Sequence, residues 1–208
     1  MTEFLKGSMA STSTRDRLEA SRGAIKAIYY VIVGIAITEA LSRVFAKDGP
    51  YPRWRLFDLT RQPSVFLLVA FMLTISRFVH GASIHLDAID SGRFKALFDF
   101  IGFLIQAALF YVMALSIAHP RPFVLWFIFM LVADALWLLV LYRVRYIQFG
   151  GTARQWVVSD AVLVAIFLGG LYFDPEIGRW SVVLVALCSA GAAVADYWVN
   201  RNFYFPKA

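Results

Sequence analysis

Among the ionisable residues within the apolar runs of this chain, seven stand out: Glu39, Arg77, His80, Asp99, Asp134, Asp160 and Asp196. A charge at the centre of a bilayer-spanning helix costs about 2.5–3.5 kcal/mol on insertion scales, so such residues turn toward protein or water. Carboxyl groups at that depth can carry a proton or a cation. A guanidinium stays charged and can hold two carboxylates at once. The seven residues therefore read as an ion or proton path, or a buried polar cluster, with Arg77 as its counter-ion. The acids outnumber Arg77, so some of them are expected to be neutral or hydrated.

The densest stretch is "SRFVHGASIHLD", residues 76–87. Arg77 and His80 stand three apart and share a helical face. Gly81 is expected to loosen the helix end, after which His85 and Asp87 reach the membrane boundary. Imidazole titrates near neutral pH, so either histidine is suited to proton sensing or transfer. A metal site from His80, His85 and Asp87 requires the helix to break, because five residues set the two rings about 140° apart on a regular helix. Hydrogen-bonded structural histidines are the favoured reading. His119, before Pro120, reads as a loop residue.

Other chemistry is mostly excluded. The single Cys188 rules out an internal disulfide, CxxC redox chemistry and a Cys-rich metal site, and reads as a packing residue. No P-loop, GxSxG or HExxH occurs. No lysine lies mid-helix for a retinal Schiff base, and no histidines lie on facing helices for a haem. No metal or other cofactor is expected.

The elements that must position these residues are six apolar stretches: Ala24–Ala46, Ser64–Gly81, Phe94–Ala118, Pro122–Tyr142, Gln155–Phe173 and Trp180–Val199. Each approaches the roughly 20 residues that a bilayer core demands. Hydrophobic residues make up 60% of the chain and charged residues only 16%, which would leave large greasy patches on a soluble domain of this size. The fold class is all-α: an integral membrane bundle of six transmembrane helices. Residues 1–8 resemble an expression scar, because Met9 directly follows Gly7-Ser8. A polar segment, 9–23, is suited to an interfacial helix. The transmembrane domain spans 24–203, with a tail at 204–208. The first apolar run is too long for a signal peptide and carries Glu39 and Arg43, so it is expected to remain as a helix.

Twelve of the Lys and Arg residues fall in the amino-terminal segment, the even-numbered connections and the tail, against six on the other face. Both termini are therefore expected in the cytoplasm, in a bacterial inner (plasma) membrane. The basic first outer loop, "KDGPYPRWRLFDLTRQP", fits a segment resting among headgroups. The net charge of +6 is explained by these loops and by contact with membrane lipids, not by nucleic acid. Arg143, Arg145 and Arg154 form a basic cytoplasmic face open to headgroups or a cytoplasmic protein partner. Short loops predict that consecutive helices are neighbours. At 1.5 Å per residue, Arg77, Asp99, Asp160 and Asp196 fall in the cytoplasmic half, Asp134 near the middle and Glu39 in the outer third.

The acids also recur. Asp99 and Asp134 stand 35 residues apart, and Asp160 and Asp196 stand 36 apart. "LVADALW" and "AVADYW" surround the second member of each pair, and a basic, aromatic exit follows both. This suggests an internal two-helix repeat. The scaffolding alternative pairs Asp99 with Lys95, Asp160 with Arg154 and Asp196 with Arg201. Gly34, Gly102, Gly169, Gly170 and Gly191 are expected to let backbones approach closely.

The leading expectation is a homo-oligomeric channel or small transporter moving an ion or protons along this polar path. The first alternative is a membrane effector that couples a cytoplasmic partner or trigger to a packing switch. The second is a membrane enzyme acting on a lipid-type substrate, which the missing motifs disfavour.

Overall fold

The computed structural model describes residues 2–45, 62–88, 93–143 and 151–205, of which 2–15, 17–18, 87–88 and 93–96 are described by their backbone alone. These residues form helices α1 (Thr2–Phe45), α2 (Pro63–Ala88), α3 (Arg93–Ser116), α4 (Pro120–Arg143), α5 (Gly151–Phe173), α6 (Arg179–Val199) and the short α7 (Arg201–Tyr204). There is no strand among them. The first six helices each contain a stretch long and apolar enough to cross a membrane. The basic connection between the first two apolar runs and Arg145 lie outside the described residues.

Local chemistry marks several helix starts. Pro63 and Pro120 each occupy a first helical position, where the missing N–H costs nothing and the fixed φ is already helical. Before α6 the chain makes a tight turn around Asp174. Its Oδ2 accepts hydrogen bonds from the Gly178 N–H at 2.7 Å and the Ser181 hydroxyl at 2.6 Å. Ile177 sits in that turn with φ 49°, an unusual conformation for a β-branched residue. Its N–H donates to the Asp174 carbonyl and its side chain is buried, which holds it there.

The helices close a ring. α1 packs on α3, α3 on α4, α4 on α5, α5 on α6, α6 on α2, and α2 back on α1. α2 also touches α3, α4 and α7, and it is the most buried of the six. Sequence adjacency is therefore only part of the rule: the largest contact of α1 is with α3, and that of α2 is with α6. Phe71, Phe110, Phe123 and Phe127 fill the interior with edge-on ring contacts, such as Phe71 to Phe123 at 6.4 Å. Within a bilayer such close packing, rather than water exclusion, holds helices together. Six residues beyond Phe71 along α2, about 9 Å at helical rise, this apolar interior gives way to Arg77.

Three sequence expectations change here. Gly81 does not end the second helix; α2 continues to Ala88 and carries His85 within it. The polar segment 9–23 is not a separate interfacial element but part of one unbroken helix with the first apolar run. The glycines are the third. A Cβ added at Gly34, Gly169, Gly170 or Gly191 would meet nothing within 4 Å, so none of the four marks a close approach of backbones. Only Gly102 is tightly packed, against Trp137 rather than a backbone.

Candidate functional site

Arg77 is the centre of the buried polar groups. Its side chain is closed off by α5 and α6, leaving the residue 6% exposed. Two different nitrogens reach two helices: Nη2 donates to Asp160 Oδ1 at 3.1 Å, and Nε donates to Asp196 Oδ2 at 3.0 Å. The planar fork of a guanidinium makes this double engagement possible where a lysine would offer a single point charge.

Asp196 is fully satisfied. Besides Arg77 it accepts from the Trp156 indole N–H, the Asn200 amide and the Tyr204 hydroxyl, each at 2.7 Å. The sequence places Asn200 one helical turn after Asp196 and Tyr204 a turn later again, so α7 folds back onto the same carboxylate. Burial pushes the Tyr204 phenol above its ordinary range, and the hydrogen bond to Asp196 adds to the effect. It therefore remains a donor.

Asp160 is different. Oδ1 receives Arg77, but Oδ2 has no hydrogen-bond partner and the residue is 0% exposed. The Asp134 carboxyl, from α4, lies within hydrogen-bonding reach of Asp160. Asp134 Oδ1 accepts from Gln106 Nε2 at 3.2 Å, and Gln106 Oε1 accepts from the Tyr29 hydroxyl at 2.7 Å. One connected set of polar groups thus draws on all six long helices.

A cavity of about 60 Å³ adjoins this network. Arg77, Gln106, Asp134 and His85 line its polar side, and Trp137 and Trp156 lie among its aromatic walls. That is enough room for a few water molecules, with several polar partners to hold them.

The remaining site residues divide. His85 Nε2 lies 3.3 Å from Asp99 Oδ1, so Asp99 joins a second polar contact, at the cavity's His85 wall. His80 leaves the carboxylates altogether: its Nδ1 is 3.2 Å from the Tyr197 hydroxyl, and its ring lies 4.8 Å from that of Tyr204. Of the residues in the metal reading, His80 and His85 sit on one continuous helix and engage different partners, and the Asp87 side chain lies outside the described residues. No group of three potential metal ligands exists among the described residues. Glu39 pairs with Arg43 one turn along α1 and stands apart from the network. Asp160 and Asp196 pair with Arg77, not with Arg154 or Arg201, and Arg201 lies over the Trp198 ring. Arg143 and Arg154 are exposed at the end of α4 and the start of α5.

Charge-based reading overlooks Tyr29, Gln106, Trp156, Asn200 and Tyr204. Gln106 carried a signal, as an amide in the middle of the third apolar run. The others look like ordinary interfacial aromatics and polar exits. No family profile, curated protein or solved structure matches this chain, so the geometry of the site alone carries the functional argument.

Proposed function

We propose that the protein is a membrane channel or small transporter that moves a cation or protons along a polar path containing Arg77, Asp134 and Asp160. One observation carries this reading: two carboxylates grip a single buried guanidinium, and a third carboxyl, Asp134, lines with it a cavity large enough for water. With every acid ionised the cluster bears an excess negative charge, which attracts a mobile positive one. Burying such a cluster is costly and adds little to helix association, where polar contacts average roughly 0.6 kcal/mol. In this reading the termini face the cytoplasm of a bacterial cell, and copies assemble so that the small cavity joins a longer route. The duplicated pattern of acids belongs to it: Asp99 and Asp160, the matching first members, each contact a basic residue of α2.

The test is ion flux into liposomes holding the purified full-length protein, with proton and alkali-cation gradients imposed separately. Wild type is expected to move one of them, and Asp134→Asn to abolish the movement while inserting normally. Protein that carries neither ion overturns the reading.

A second reading, a membrane effector, draws support from the tie between α7 and Asp196, which would connect a cytoplasmic partner at the carboxyl end to the buried network. It expects no flux from the protein alone, and loss of cellular activity when Arg143 and Arg145 are reversed to glutamate.

A further inference from the structure

Two neighbouring carboxylates can only accept hydrogen bonds, so they repel each other unless something positive stands between them. Asp160 Oδ2 is a buried oxygen without a donor, and the group within reach of Asp160 on the α4 side is the Asp134 carboxyl. Arg77 cannot resolve the conflict, since its bonds are to Asp160 Oδ1 and to Asp196. We infer that Asp134 and Asp160 hold one proton between them, beside the cavity that Asp134 lines.

Every charged or titratable neighbour is consistent with this assignment. From α2, Arg77 neutralises one charge of the Asp160–Asp196 pair. From α6 and α7, Asp196 is already saturated by donors from Arg77, Trp156, Asn200 and Tyr204. From α3, Gln106 donates to Asp134 Oδ1, and its own carbonyl is taken by Tyr29 of α1. His85 faces the same cavity as Asp134 and is backed by Asp99. A resident Ca²⁺ would ask for six or more oxygen ligands. The described residues offer no group of even three potential metal ligands.

This inference deepens the transport reading by naming the mobile species, and its test does not depend on flux. Infrared spectroscopy of the full-length protein in liposomes, near neutral pH, reports a protonated carboxyl directly. Wild type is expected to show a protonated-carboxyl stretch that shifts with isotope-labelled aspartate. It should vanish completely in Asp134→Asn and in Asp160→Asn, where the new amide donates to the remaining carboxylate. Glu39→Gln should retain it. A wild-type spectrum without the band overturns the inference even if a variant fails to fold, and so does a band that survives both substitutions. Flux of an alkali cation by a protein lacking the band would preserve the transport reading while sinking the proton. The band without any flux would do the reverse.

Discussion

Tyr204 and Asp196 meet across the junction of α6 and α7, with the phenol donating to Oδ2 at 2.7 Å. A hydrogen bond to a charged acceptor typically contributes about 1.5–3 kcal/mol. Tyr204→Phe should therefore lower stability in detergent by about that amount, since Asp196 keeps its other donors. Equilibrium unfolding checks it. An unchanged transition would mean that the hydroxyl bonds water equally well.

Removing Arg77 should be far more damaging. Arg77→Met leaves two buried carboxylates uncompensated, and breaking a buried pair from one side costs about 3–5 kcal/mol. Replacing Asp160 and Asp196 with leucine in the same protein should recover part of the loss, because the two carboxylates that Arg77 neutralised would be gone. Arg77→Lys should fall between wild type and Arg77→Met. Unfolding of all four proteins under one condition would decide the matter, and equal stability of Arg77→Met and wild type would contradict the paired arrangement.

Gly102 makes room for an aromatic ring. A Cβ there would stand 2.5 Å from the Trp137 indole, which is itself stacked on Phe98 at 4.3 Å. Gly102→Ala is expected to cost about 1–3 kcal/mol through overpacking. Gly169→Ala meets nothing and should be neutral or slightly stabilising, as alanine favours the helix by up to about 1 kcal/mol. Comparing the two melting temperatures tests the contrast.

Asp174, in the turn between α5 and α6, gives a pH signature. The Ser181 hydroxyl, and then the Gly178 N–H, hold its carboxyl below the ordinary range. A depressed folded value means the turn gains stability that is fully present above the unfolded carboxylate's pKa and is lost as pH falls through the folded one. Carbon-detected titration of Asp174 should place its midpoint below the usual value for aspartate, and Ser181→Ala should raise it. A midpoint at the ordinary value in wild type would refute the assignment.

The spanning helices were legible because membrane insertion rewards long apolar runs, whatever packs against them. Arg77, Asp134, Asp160 and Asp196 were conspicuous for the opposite reason: ionisable groups are costly there, so each draws attention. Their partners were not legible. Hydropathy ranks how deeply a residue sits but does not say which helices touch, so the pairing of α2 with α6, and with it the Arg77–Asp196 bond, needed three dimensions. Tyr29 and Trp156 gave no warning because aromatic hydroxyl and indole groups enter membranes cheaply. The end of α2 was misjudged at Gly81 because its backbone hydrogen bonds continue after the apolar pattern stops. Glycines proved equally unreliable guides, since small size permits contact without producing it.

By grasping α5 and α6 at once, Arg77 makes three helices mechanically interdependent. A glide of α2 alone would strip two carboxylates of their common cation in a single stroke, so a gentle gradual shear is energetically closed to it. Rearrangement has two routes: the trio travels as a block, or both ion pairs rupture together in an abrupt, all-or-none event.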